Sequence, residues 1–543
     1  MVTLQTLFPE ALSKFSLHSV ILVFSLFVAY KVFRQLILWP YFLSPLRSAP
    51  GPPLGNPIFG QFPSILRSKP GVVHSKWAKE HGPTVRVVGP FGMEKMMYMN
   101  PEALHKILVS DWVEYPRPEF MRRVLGVTAG WGLLTTTGDE HRQMRKAMNP
   151  AFSIANLTAQ TDMYYEPIYG LLDILRQEIQ SSTDPSTGKV FHIYEWLSKA
   201  TLDIICLTAF GYKTDSLHNP DNELADAYHK LIELQSMPNL VLFISLITVP
   251  GFLRLMKTEW MYEHRSWLTL IRGLSPAATL IESMHRINNV ASQILSEKTS
   301  EASAVMSGDT ASKRDIMSLL VQARKREVGE GYRLSDADMI EQVLTFLGAG
   351  HETTASGLAW TLWLLAEHPS VQTKLRAEVT SLISSNAKPD FRALKQMEYL
   401  DAVIMESLRV LPPVPMTLRK AGKSDFVDGV FVPKGTLLYI AISVVNKFKG
   451  FWGDDAEDFR PERWFDLPKC YNQHFSLLTF IAGPHHCIGR TMAITEMKAV
   501  VAILIANLHF EPAFDGQIIQ PTAAVTMKPD DNLPLRVRLV ENI

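Results

Sequence analysis

Phe480-Ile-Ala-Gly-Pro-His-His-Cys-Ile-Gly489, running straight into RTMAITEMKAVVAIL, is the stretch that decides the fold. It puts the thiol of Cys487 where a glycine-flanked loop turns into a helical pattern. A thiolate there gains the partial positive charge of the helix end and backbone N–H donors, conditions that depress a cysteine pKa and suit the sulfur to bind iron. Gly483 and Gly489 would let the backbone fold closely around the sulfur, and Phe480 would shield it from water. Taken alone, the segment is explained more commonly as a buried structural cysteine. The chain has three cysteines, Cys206, Cys470 and Cys487, in 543 residues. They lie too far apart for a zinc pattern and are too few for a disulfide framework, which points to a reducing compartment or to specialised thiol chemistry.

Lys+Arg and Asp+Glu both total 54, so nothing in the net charge favours nucleic acid or a strongly charged substrate as partner. From Phe15 to Tyr30 no residue is formally charged, and if Lys31 snorkels the apolar run reaches Phe33, about the length a bilayer requires. Glu10 and Lys14 precede it and no small-x-small cleavage site follows, which argues for a retained anchor over a cleaved signal. Lys31, Arg34 and Arg47 on its C-terminal flank keep the rest of the chain in the cytoplasm. Residues 1–34 therefore form the transmembrane anchor. Residues 35–59 form an interfacial segment and a Pro-rich hinge, with Pro50, Pro52, Pro53 and Pro57 as an extended spacer. Residues 60–543 form the catalytic body, and a cut near Arg47 should leave that body intact.

Helical periodicity covers Gly138 to Met148, Ala200 to Phe210, Asp336 to Glu367, Val371 to Ile383, Leu400 to Leu411 and Gly489 to Leu508. Alternation predicts strands at Thr84 to Val88, Lys95 to Met99, Phe426 to Val432 and Thr436 to Ile440, with Pro433-Lys434-Gly435 as a turn. Polar stretches at Ser181 to Gly188, Lys298 to Lys313 and Ser384 to Asp390 read as loops. The fold class is mainly α with minor β.

Phe480, Gly483, Cys487 and Gly489 resemble the signature F-x-x-G-x-R-x-C-x-G of the cytochrome P450 family, with His485 at the arginine position. Glu406-Ser-Leu-Arg409 resembles that family's E-x-x-R, and Arg460-Pro-Glu-Arg463-Trp464 its P-E-R-F/W segment. The resemblance implies a single large helical domain with small β-sheets behind an N-terminal transmembrane helix. It also implies a charged network of Glu406, Arg409 and Arg463 beneath a heme b (iron protoporphyrin IX) whose iron Cys487 ligates. Ala349-Gly-His-Glu-Thr-Thr354 resembles the central helix over the oxygen-binding face, with Glu352 and Thr353 as the acid–alcohol pair that relays protons. Gly348 and Gly350 would weaken that helix and make room for O₂ and water. His141 and Arg145, spaced i,i+4, resemble the helix that binds heme propionates, His141 standing where tryptophan is usual. Arg419 resembles a third propionate contact.

What the resemblance implies is a heme-thiolate monooxygenase, embedded in the endoplasmic reticulum membrane by one pass with its catalytic domain cytoplasmic. It would take O₂ and electrons from NADPH through a separate cytochrome P450 reductase, docking on the Cys487 side near Lys146, Lys469 and Arg490. Substrate contacts are expected from Phe120 to Trp131, Met237 to Phe243, Thr345 to Ala349, Val414 to Thr417 and Ala524 to Thr526. These mostly apolar stretches suit a lipophilic substrate, and the resemblance of the Pro-rich hinge and of the Pro484-His-His-Cys-Ile-Gly489 loop to fungal members implies a terpenoid or other fungal secondary metabolite. The alternatives are a fatty acid or xenobiotic hydroxylase, a heme-thiolate isomerase, and a non-catalytic heme-binding membrane protein.

Overall fold

The structure is a computed structural model that describes residues 17–219, 221–234, 236–306, 315–326, 334–522 and 526–540. Its centre is the helix Asp336–Glu367, opened by a capping box in which Ser335 and Asp338 each bond the other's backbone N–H. Its 32 residues span about 48 Å. From His351 to Ala366 only Thr353 is not buried, so the helix is apolar nearly all round and lies inside the body. It packs on Ile193–Phe210 so closely that a Cβ on Gly350 would stand 2.7 Å from Ile205 Cγ1. One large core joins it to Tyr165–Gln180, Glu398–Val410 and Arg490–Asn507.

Predicted helices hold, with Gly138–Met148 and Asp336–Glu367 matching at both ends. The periodic windows understate others: Ala200 to Phe210 is the second half of Ile193–Phe210, and Val371 to Ile383 lies within Pro369–Ser385. The loop expected over Lys298 to Lys313 is corrected in part, because residues up to Met306 continue the helix Ser275–Met306. A buried ion pair between Lys298 and Asp315 at 3.0 Å ties that end to the body. Residues 307–313 lie outside the described residues.

The main sheet has four strands in the order Thr84–Val88, Glu94–Tyr98, Leu437–Ile440, Thr417–Lys420, with only the middle pair parallel. The strand expected over Phe426 to Val432 is instead a hairpin, Asp425–Val427 against Val430–Val432. Asp428 and Gly429 at its tip both have positive φ, the two-residue turn that Asp-Gly favours. A third, antiparallel sheet of Lys189–His192, Pro534–Leu539 and Leu508–Pro512 escaped the sequence reading.

The N-terminal run forms Leu17–Phe33 and continues through Arg34–Leu43 in a wider π-helical winding around Pro40, which lacks the N–H for the regular ladder. His18–Leu43, 26 residues, is long and apolar enough to cross a membrane. Phe15, where the apolar run begins, lies outside the described residues. The segment after it is no free hinge. Trp39 Nε1 donates to Glu94 Oε2 at 2.8 Å, Arg86 Nη2 donates to Pro40 O at 2.7 Å, and Arg86 N donates to Pro50 O at 2.7 Å. Leu46 is buried in the core behind the main sheet. A cut after Phe33 keeps these contacts, whereas a cut after Arg47 removes most of them. Removal through Arg47 strips Leu46 and two partners of Glu94, Trp39 and Ser44, and a loss of about 2–4 kcal/mol is expected from that side chain and its neighbouring bonds. Denaturant midpoints of the two truncations check it: equal midpoints would show that residues 34–47 add nothing.

Candidate active site

The loop Phe480–Gly489 is held from both sides. Cys487 N donates to Phe480 O at 2.9 Å and His486 N to Gly483 O at 2.9 Å, which closes the turn around the sulfur. Gly483 has φ +73°, and a Cβ there would fall 1.9 Å from Leu108 O, so the close approach of two backbones demands glycine. At Gly489 a Cβ would meet nothing within 4 Å: that glycine borders open space. Cys487 keeps exposed surface within a densely packed neighbourhood, so the residue lines a recess. The expected depression of its pKa is corrected. Burial pushes the thiol up, while the Gly489 N–H, Arg145 and Arg490 pull it down without overcoming burial. The helix begins only at Arg490, so the sulfur stands outside the first turn, where the dipole acts most strongly.

Around this recess lies a group of cations and imidazoles. Arg117 Nη1 donates to His485 Nδ1 at 3.3 Å. The rings of His485 and His141 are 3.9 Å apart at their centroids, and Trp112 stands edge-on to both at 5.1 and 5.7 Å. Arg419 is buried on its strand and donates only to Thr417 Oγ1 and Leu418 O, at 3.1 and 2.9 Å. Arg145 donates to His486 O at 2.6 Å and to its Nε2 at 2.8 Å. Among the described residues none of Arg117, Arg145 and Arg419 is ion-paired to a carboxylate, and His141 Nδ1 is buried without a partner. The pKa values carry the strain of that crowding. Burial, then Arg117 and Arg145, lowers His141 to about 4. Burial, then Arg117, His141, Arg419 and Arg145, holds His485 well below its usual range. Arg117 is pushed down to about 10 by burial and Arg122. His485 is thus a neutral imidazole in these surroundings, its Nδ1 accepting from Arg117.

On the central helix Gly348, Ala349, Gly350 and Thr353 retain surface. Thr353 Oγ1 donates to Ala349 O at 2.7 Å. Glu352 does not meet it: its Oε1 accepts from Thr526 Oγ1 at 2.5 Å and its charge bears on Lys528, because consecutive helical residues face about 100° apart. A Cβ on Gly348 would stand 2.9 Å from Ala129 Cβ and one on Gly350 2.7 Å from Ile205 Cγ1, so both glycines also let the helix pack closely.

Behind the loop, Glu406 takes Arg409 in a fork, Nε to Oε2 and Nη2 to Oε1, both at 2.8 Å. Arg463 Nε reaches Glu406 Oε1 at 3.3 Å and Trp464 Nε1 reaches Oε2 at 3.0 Å. All three charged side chains are fully buried. Arg409 also donates to the carbonyls of Asn446, Ala456 and Asp458, and Arg463 pairs with Asp455 at 2.6 Å. Asn446 and Thr479, bonded to each other at 2.9 Å, carry this network to the residue before Phe480.

A family model described as cytochrome P450 matches residues 50–535. The chain belongs to the cytochrome P450 family. It is 34% identical over 514 residues to cytochrome P450 monooxygenase 205 of Postia placenta, covering 90% of each chain. It is 32% identical to monooxygenase 128 of the same fungus, covering 94% of this chain and 95% of that one. To monooxygenase sphH of Aspergillus fumigatus it is 29% identical, covering 94% and 91%. This P450 is an oxidoreductase of the monooxygenase kind, a family that works with heme iron, O₂ and a redox partner.

The donor set fits such a cofactor: an internal thiol, open space at Gly489, and buried guanidinium groups lacking anions suit a flat iron-bearing group with two carboxylates. Arg117 and Trp112 were not singled out from sequence. The only signal for Arg117 was the short Tyr115-Pro-Arg-Pro118 stretch, which has no helical or strand period. Of the stretches expected at the substrate, two come together in an apolar pocket, where Val124 and Val127 face Leu240 and Phe243 with Leu231 and Ile247 closing it. Ala524 lies outside the described residues, and Thr526 serves Glu352.

Proposed function

We propose that this P450 binds heme b through Cys487 and oxidises a lipophilic substrate, a terpenoid or other fungal secondary metabolite, at the endoplasmic reticulum membrane. The observation that supports the reading is the recess where the Cys487 thiol stands beside Arg145, with Arg117 and Arg419 around the neighbouring His485 and none of the three ion-paired to a carboxylate among the described residues. When bound, heme activates O₂ with two electrons, so that one oxygen atom enters a substrate C–H bond and the other leaves as water. The protein's residues do the rest. Arg117, Arg145, Arg419, His141 and His485 would hold the propionates, with Trp112 fixing both imidazole rings. Phe480 would keep water from the sulfur, and Glu406, Arg409 and Arg463 would brace the loop from behind. Thr353 Oγ1 would hold the proton to be delivered, and Glu352, reached through Thr526, would replenish it. Residues 1–34 would anchor the chain and residues 60–543 form the catalytic domain. Lys146, Lys469 and Arg490 are exposed and make no ion pair among the described residues, which supports electron delivery by NADPH–cytochrome P450 reductase on that face.

Thr353→Ala should keep consuming NADPH while releasing hydrogen peroxide in place of product; a ratio of product to NADPH equal to wild type would remove Thr353 from proton delivery. His485→Ala should lose heme faster to an apo-globin acceptor, by about 1 kcal/mol for one hydrogen bond. Identical transfer rates would mean that His485 only packs. The substrate class is tested by product profiling after co-expression with the reductase in a host fed terpenoids, fatty acids and aromatic xenobiotics. Oxidation of fatty acids alone would overturn the terpenoid reading.

A further inference from the structure

Ile481, directly after Phe480, has φ 52°. Among the described residues it is the only β-branched side chain in the left-handed region, where the Cβ crowds its own backbone. Such a conformation persists only where the surroundings over-determine it. Its effect here is a sharp turn. Ile481 N donates to Leu478 O at 2.8 Å, and the Phe480 carbonyl between them accepts from Cys487 N at 2.9 Å.

The residue that over-determines this turn is Asn446. It is fully buried just past the short helix Ile442–Val445, and both ends of its side-chain amide are used. Oδ1 accepts from Leu478 N at 2.8 Å, and Nδ2 donates to Thr479 Oγ1 at 2.9 Å. Thr479 Oγ1 donates in turn to Leu408 O at 2.8 Å, and Asn446 O accepts from Arg409 Nη1 at 3.0 Å. One amide thus fixes the two residues before Phe480. Its own anchors, Leu408 and Arg409, lie on the helix Glu398–Val410 that carries Glu406. The task needs an acceptor for an N–H and a donor for a hydroxyl on one short side chain, which an amide supplies and a carboxylate does not.

We propose that Asn446 is a positioning residue for Cys487: it holds the strained turn Leu478–Ile481 in the conformation that aims the Phe480 carbonyl at the Cys487 N–H, and so fixes where the sulfur stands. Without the amide, Ile481 relaxes toward negative φ and the carbonyl swings away. Glycine at 481 has no such tendency, because it takes positive φ as readily as negative. The proposal rests on the reading of Cys487 as the heme ligand, and a Cys487→Ala control separates the two.

Full-length holoprotein is compared as wild type, Cys487→Ala, Asn446→Ala and Thr479→Val, the last cutting the same clamp while keeping side-chain volume. Ile481→Gly is then added to each of the two clamp variants. Circular dichroism checks folding, and if Asn446→Ala does not fold the Thr479→Val pair carries the test. Two quantities are read: the red-shifted Soret band of the reduced, CO-bound protein, and heme transfer to apo-globin. The clamp variants should lose part of the band and release heme about fivefold faster, the factor carried by one lost hydrogen bond of about 1 kcal/mol. Adding Ile481→Gly should bring both readings back toward wild type, which would not happen if Asn446 only added stability. Wild-type readings in the clamp variants overturn the proposal, and so does a change that Ile481→Gly leaves uncorrected. A band that survives Cys487→Ala removes the ligand reading and the proposal with it. A band lost in Cys487→Ala but unchanged in the clamp variants removes the proposal alone.

Discussion

Replacing Cys487 with alanine is expected to abolish the strongly red-shifted Soret band of the reduced, CO-bound protein, whereas Cys206→Ser and Cys470→Ser keep it. The contrast comes from where the three sulfurs sit. Cys206 is wholly buried in the core beneath the central helix, and burial drives its thiol far above the usual range, so it is a small apolar residue in effect. Cys470 is exposed on a surface turn. Only Cys487 faces the recess ringed by Arg145, His485 and Gly489. The bonds that shape its loop are backbone bonds, Cys487 N to Phe480 O and His486 N to Gly483 O, and alanine keeps them. A lost band would thus report the sulfur and not a collapsed loop. A band retained in the alanine variant overturns the assignment of the ligand, and with it the proposed chemistry.

Glu406→Ala should produce the largest loss of stability. The side chain answers Arg409 through a fork, Arg463 and Trp464 through single bonds, and the backbone N–H of Arg460 at 3.0 Å. Arg463 would keep Asp455, but Arg409 would be left fully buried with carbonyl partners alone. Removing one partner of such a buried pair costs about 3–5 kcal/mol, a large part of the 5–15 kcal/mol typical of a folded protein. Glu406→Gln keeps most of the hydrogen-bonding shape and should cost less, since what it loses is charge. Equilibrium unfolding in guanidinium chloride checks both, with heme retention as a second reading because Thr479 and Asn446 link this network to the Cys487 loop. A loss below about 1 kcal/mol for Glu406→Ala would mean that the two arginines are satisfied without it.

Some of the site could be read before any coordinates. Glu406 and Arg409 are one helical turn apart, and Cys487 lies between two glycines just before a periodic run. Each reading needs only residues within a few positions of one another. Arg117 and Trp112 could not be found in that way. They lie in an irregular segment more than 350 positions from His485, and nothing local marks a residue that matters only because of what packs against it. The surroundings of the expected acid–alcohol pair were hidden for a related reason: Glu352 and Thr353 are adjacent in the chain, but adjacent helical residues face about 100° apart, and Glu352 accepts from Thr526, 174 positions away.

Short-range pattern by itself determined the family motifs, the central helix from Asp336 to Glu367 and the apolar N-terminal run, because periodicity, capping and turn chemistry act between near neighbours. Tertiary structure alone decided the direction of the His485 and Cys487 pKa shifts, the packing role of Gly348 and Gly350, and the docking of residues 34–50 onto the main sheet. Each of these depends on burial and on partners brought from distant parts of the chain. Desolvation and close packing are properties of the folded neighbourhood, and no window of sequence contains them.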